Sequence, residues 1–131
     1  MGKYLKLILL VIVAGLMMNC EKNSGDPEVG SSNNNLTFIN NSDATARLII
    51  ESKEVFLPIS AAAGSSKSMA MPVLMYHFQE LSSVFSVKIT VEVWNSEKAA
   101  YEKIYESFER IDTYRDMTIT VDKYKYVTID L

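Results

Sequence analysis

From Leu36 onward, apolar and polar residues alternate with a period of two, the pattern of strands that bury one face. The longest run is Val84–Trp94. Phe85, Val87, Ile89, Val91 and Val93 fall on one side, and Ser86, Lys88, Thr90, Glu92 and Trp94 on the other. Ala44–Glu51 repeats the pattern with Ala46, Leu48 and Ile50 on one face. Leu36–Ile39 predicts a short strand that ends at Asn40-Asn41-Ser42-Asp43, four residues that favour turns through side-chain to backbone hydrogen bonds. Ser52-Lys53 predicts a tight reversal into a strand over Glu54–Ile59, where Pro58 marks a sheet edge. Ala61–Ser66 reads as a loop and Lys67–Met71 as a weak strand. Met117–Val121 and Tyr124–Leu131 read as a hairpin turned at Asp122-Lys123, with Val127, Ile129 and Leu131 inward.

Two segments depart from strict alternation. Ser96–Arg110 places Ala100, Tyr101, Ile104, Tyr105 and Phe108 at helical spacing, opposite Glu102, Lys103, Glu106 and Glu109. Asn95 or Ser96 can cap its start, and Glu106 and Arg110 form a favourable i,i+4 pair, so this stretch predicts a helix packed on the sheet. Val73–Leu81 fits strand and helix alike and is assigned here to a strand. The sum is six or seven antiparallel strands and one helix over residues 36–131. That predicts a mainly β fold, a small sandwich of immunoglobulin-like or transthyretin-like character with one packed helix.

The N-terminus follows a different rule. Lys3 and Lys6 precede an unbroken apolar run, Leu7–Met18, and a polar zone opens at Asn19. This is the three-part order of an export signal over residues 1–19. Its 12 apolar residues fall short of the ~20 needed to span a bilayer. Cys20, the single cysteine of the chain, stands directly behind it. Leu16-Met17-Met18-Asn19-Cys20 resembles the lipobox of bacterial lipoproteins, in the loose form found in Bacteroidota, with Leu16 four positions before the cysteine and Asn19 next to it. The resemblance implies cleavage before Cys20 and lipidation of its thiol. It implies an outer-membrane location, facing the periplasm or the cell surface. An ordinary cleaved signal peptide is the alternative. Residues 20–35 then read as a tether, since Glu21–Asn35 holds one apolar residue, Val29, and cannot bury enough surface to order itself. Glu21, Asp26 and Glu28 resemble an acidic surface-sorting signal or serve as a plain solvated spacer.

Charge and chemistry narrow the function. The first 19 residues hold two of the 13 Lys and Arg and none of the 16 Asp and Glu, so the remainder is eleven basic and sixteen acidic, a net of −5. Such a chain has no electrostatic footprint for nucleic acid. His77 is the only histidine, set between Tyr76 and Phe78, where a core or half-buried place outweighs a ligand or base. With one cysteine and one histidine, no metal site built from those residues is expected, and no cofactor motif occurs. Glu109, Asp112 and Asp116 could share a helical face, but Arg110 and Arg115 lie among them and favour solvated ion pairing.

Aromatic residues give the positive hint. Trp94, Tyr101, Tyr105 and Tyr114 form a possible binding surface, since exposed Tyr and Trp bring apolar area and a polar handle at low entropic cost. If the helix covers the outer sheet face, Trp94 and the helix tyrosines are core instead. The sequence therefore predicts a lipid-anchored, non-enzymatic protein of the cell envelope that binds or supports a partner protein or glycan. Its layout, including the Asn40–Asp43 turn after the first strand, resembles small lipoproteins of Bacteroidota. An inhibitor or immunity-type protein that blocks an enzyme through the Ala61–Ser66 loop is the second expectation, and a small carboxylate-based hydrolase the third.

Overall fold

The computed structural model describes residues 34–131. The signal segment, Cys20 and the chain up to residue 33 lie outside the described residues. Residues 34–131 form eight strands and one helix: β1 Asn35–Asn40, β2 Ala46–Ser52, β3 Val55–Ala61, β4 Ser66–Ala70, α1 Met71–Phe78, β5 Val84–Asn95, β6 Ala100–Asp112, β7 Met117–Val121 and β8 Val127–Asp130. They build two four-stranded sheets, in the orders β4-β1-β7-β8 and β3-β2-β5-β6. The mainly β sandwich with one helix is therefore the fold. Every neighbouring pair is antiparallel except β1 and β7, which run parallel in register from Leu36↔Met117 to Asn40↔Val121. This is not the immunoglobulin arrangement, which sets strands A, B, E and D against C, F and G.

The inward alternation of β2 and β5 is as the sequence predicts. Ala46, Leu48 and Ile50 meet Phe85, Val87, Ile89, Val91 and Val93, and the opposite sheet adds Leu36, Phe38, Met117, Ile119 and Val121. β3 is a sheet edge, and Pro58 lies within it, where a missing backbone N–H costs no ladder bond. Lys53 and Glu54 turn β2 into β3 with φ of 51° and 67°, both positive as a type I′ hairpin turn requires. Val127 and Ile129 pack on the core, but Leu131, expected inward, is exposed at the chain's last position.

Two assignments are corrected. Val73–Leu81 is not a strand, because Met71–Phe78 is the one helix, α1. It buries Met71, Leu74 and Phe78 at i, i+3 and i+7, and Pro72 occupies its first turn, where proline has no N–H to lose. Gln79 ends it in the left-handed conformation, with Glu80 N–H donating to the Met75 carbonyl and Gln79 N–H to that of Tyr76, a Schellman cap. Conversely, Ser96–Arg110 is not a helix. Its residues from Ala100 form β6, the partner of β5. Thirteen residues of β6 oppose twelve of β5, and the ladder shifts where Val91 faces Tyr105 and Glu92 faces Lys103. Ile104 is the extra residue of a β-bulge. It lets both Ile104 and Tyr105 pack on the core, and the resulting spacing imitates a helix. Asn95 does cap two amides, those of Glu97 and Lys98, but in a hairpin turn instead of a helix start.

One buried polar side chain joins the sheets. Asn40 ends β1 with no solvent exposure. Its amide donates to the carbonyls of Ala44 at 2.8 Å, Ala61 at 2.9 Å and Ala62 at 3.2 Å. Its oxygen accepts from the Ser42 N–H at 3.0 Å and hydroxyl at 2.6 Å. The turn chemistry expected of Asn40–Asp43 is thus present, and it also reaches the β3–β4 connection. Asn40→Ala strands several of these buried groups, each worth about 1–3 kcal/mol when unsatisfied. Urea unfolding of the variant is expected to show a stability loss of about 3 kcal/mol with an unchanged m-value. An unchanged midpoint would mean that the network carries no stability.

Candidate functional site

The outer face of the β3-β2-β5-β6 sheet is built from the polar positions of β2 and β5 and the alternate residues of β6. Register sets its rows. Arg47 lies opposite Glu92, Glu51 opposite Lys88, and Lys88 opposite Phe108. In a regular strand, Tyr101 would share the core-facing side with Tyr105, four residues on. The bulge at Ile104 reverses the phase, so Tyr101 comes up beside Trp94 on the outer face.

The result is a ladder of aromatic and charged groups. Trp94 and Tyr101 meet edge to face with ring centroids 5.2 Å apart. The Arg47 guanidinium lies over the Tyr101 ring, 4.0 Å from its centroid. The same guanidinium donates Nε–H to Glu92 Oε1 at 2.9 Å and a second bond from Nη2 to that oxygen. The carboxylate thus fixes the cation, and the cation fixes the ring. A face held this way loses little side-chain freedom when it meets a partner. Beside it, Glu102 accepts from Asn95 Nδ2 at 2.8 Å and pairs with Lys98 at 2.6 Å.

The four aromatic residues expected to form one surface do not stay together. Trp94 and Tyr101 are adjacent and partly exposed. Tyr105 turns toward the core. Tyr114 is exposed in the β6–β7 turn, about 35 Å from Tyr101 by the length of β6 at about 3.3 Å per residue. Arg47 and Glu92 were not singled out from the sequence. Their opposite charges on the polar faces of two alternating strands were the available signal, but only the register places them together. Tyr124 and Tyr126 are exposed in the β7–β8 turn, whose Lys125 lies near enough to Glu102 to act on its charge. That turn, the Trp94–Tyr101 pair and Asn40 lie at the end of the sandwich opposite Asn34 and Asn35, where the chain enters β1.

Nearer to Asn34 is a second feature, an open cleft of about 580 Å³ lined by Glu51, Lys53, Glu80, Phe85, Lys88 and Phe108 among others. Its charges are already paired. Lys88 bridges Glu51 at 3.4 Å and Glu106 at 3.6 Å, and Lys53 reaches Glu80, whose side chain is only 8% exposed, at 3.1 Å. Phe108 stands on its wall, 82% exposed.

The remaining candidates take structural parts. His77 is exposed at the end of α1, where Nε2 bonds the Phe56 carbonyl at 2.9 Å and the ring meets Phe78 edge-on. Glu109 accepts from the Ser107 hydroxyl, Asp112 from the Tyr114 N–H, and Asp116 from the Asn35 N–H. The helical face that would have united these carboxylates does not exist, because they lie on a strand and the turn after it. No group of three or more His, Cys, Asp or Glu among the described residues could hold a metal. No helix among them is long and apolar enough to cross a membrane.

Lys98 holds the Glu102 carboxyl below its usual value through a hydrogen bond and its charge, with Asn95 adding a second bond, and Glu102 raises Lys98 in return. A lowered carboxyl favours the fold above the ordinary carboxylate pKa and loses that contribution as pH falls through the lowered value. The raised lysine contributes below its ordinary value and loses it as pH rises through the raised one. NMR titration of Lys98→Gln is expected to show the Glu102 midpoint moving up toward that of a free glutamate. An unmoved midpoint would assign the lowering to Asn95 and Lys125. Comparison of the chain with protein-family models and with curated proteins finds no match.

Proposed function

We propose that this protein is a non-enzymatic lipoprotein of the cell envelope, anchored to the outer membrane through acylated Cys20, that binds or supports a partner protein or glycan through the Trp94–Tyr101 face. The observation that carries the binding part is the ordered stack of Glu92, Arg47, Tyr101 and Trp94. Trp, Tyr and Arg are the side chains enriched at the energetic centres of protein interfaces. Here they are positioned before any partner arrives, at the end of the sandwich away from the chain's entrance. The pairing of Arg47 with Glu92 leaves no net charge at the centre of the patch, which suits a desolvated contact. The anchor part rests on the order of Lys3, Lys6, Leu7–Met18 and Cys20.

The inhibitor reading gains nothing from the Ala61–Ser66 segment. Residues 62–65 make a tight turn, with Gly64 at φ 74° and Ser65 N–H and hydroxyl both donating to the Ala62 carbonyl. It does not present an extended plug.

Two measurements test the proposal separately. Mass spectrometry of the protein extracted from its native membrane is expected to find an N-terminal Cys20 carrying acyl chains; an unmodified thiol would refute the anchor. Crosslinking in intact cells is expected to capture one partner class with the full chain and to lose it with Trp94→Ala/Tyr101→Ala. Both side chains are partly exposed, so the double variant should keep its fold. Undiminished capture by a folded double variant would refute the binding face.

A further inference from the structure

The end of the sandwich where the chain enters carries exposed apolar side chains that the fold does not use. α1 turns Met71, Leu74 and Phe78 inward, and Val73 and Tyr76 point out from it. Just past its cap, Leu81 is 99% exposed, and Tyr114 in the β6–β7 turn and Leu131 after β8 are exposed at the same end. One exposed leucine is ordinary, but a set of large apolar groups at one end marks a contact surface. These groups surround the chain's entrance. The Met71 N–H donates to the Asn34 carbonyl at 2.9 Å, and the Asn35 N–H donates to Asp116 at 2.8 Å in the turn that holds Tyr114.

We propose that this end is a lipid-contact face, with Leu81 and the outer side of α1 resting in the headgroup region of the membrane that holds Cys20. The inference depends on the lipoprotein reading above and adds an orientation to it. Two observations on the chain favour a bilayer as the occupant. Only residues 20–33 separate Cys20 from this end, so the anchor keeps it near the lipid. The chemistry suits the interface, where tyrosines sit at headgroup level and aliphatic side chains dip below them. The charges at this end are mixed: Lys53 and Arg115 are well exposed, as are Glu54, Asp116 and Asp130, while Glu80 pairs with Lys53 and Asp112 with Arg115. The contact need not be strong. A short tether gives an effective concentration of about millimolar, so even millimolar affinity leaves it half occupied.

The test uses the acylated full chain in vesicles with and without brominated lipid. In a Trp94→Phe background, Leu81→Trp places the only tryptophan at the proposed contact, a substitution its exposure tolerates. Its emission is expected to fall about twofold or more with brominated lipid, as for side chains about 5–10 Å into the headgroup boundary. Trp94 in the unaltered chain should be unaffected. Acylated, vesicle-bound protein whose introduced tryptophan is not quenched overturns the orientation and leaves the anchor standing. Protein without acyl chains overturns the anchor and the orientation with it. A dimer of the unacylated chain that Leu81→Glu dissolves assigns the face to a second copy and overturns the lipid contact.

Discussion

The buried carboxamide of Asn40 joins the two sheets at the end of the sandwich that also carries the aromatic patch. It closes the β1–β2 turn through Ser42 and Ala44, and it holds the β3–β4 connection through the Ala61 and Ala62 carbonyls. A side chain that must satisfy both a donor and an acceptor inside an apolar core admits few alternative arrangements. The chain has no disulfide to do the same work, since its single cysteine lies before the domain. The Trp94 N–H bonds the Thr45 carbonyl at 2.8 Å, so the turn that Asn40 closes also positions the backbone of the patch.

From that fixed end, the two long strands β5 and β6 set out the outer face. Their alternation decides what is buried, and one inserted residue decides what is shown. Below Ile104, Phe108 faces out and Tyr105 faces in. Above it the phase reverses, and Tyr101 joins Trp94. The cation over the Tyr101 ring is oriented by Glu92, so a ring, a guanidinium and a carboxylate from three strands behave as one rigid unit.

What could be read from the sequence follows from how far each signal reaches. β5 and β2 were legible because each has a buried face that repeats every second residue, a purely local property. Pro58 at a sheet edge was legible as a local property too, and so was a turn opening at Asp122-Lys123, but that turn runs on to Tyr126 and β8 begins at Val127, not at Tyr124. β6 was not, because a bulge converts a period of two into apolar pairs at 100/101 and 104/105 that look helical, and Asn95 caps a hairpin with the same bonds it would give a helix. α1 was hidden by Val73 and Tyr76, which blur its polar face; Pro72 with Met71, Leu74 and Phe78 was the better signal. The parallel β1–β7 pair joins residues about 80 apart, and the meeting of Arg47 with Tyr101 depends on two registers, so neither is written in any local pattern. Of the four aromatic candidates, only Trp94 and Tyr101 share a surface.

The placement of β1 has a mechanical consequence. It is an inner strand, bonded along its length to β4 on one side and to β7 on the other, and the chain enters it at Asn35. A pull directed along the strand from that point, resisted by a load at the far end, acts across both ladders at once. Bonds that lie across a strand are then sheared together and not opened one by one. Because β1 finishes at Asn40, the same pull bears on the buried carboxamide last. The strand that takes tension from the N-terminal side is thus held by a ladder on each of its two edges.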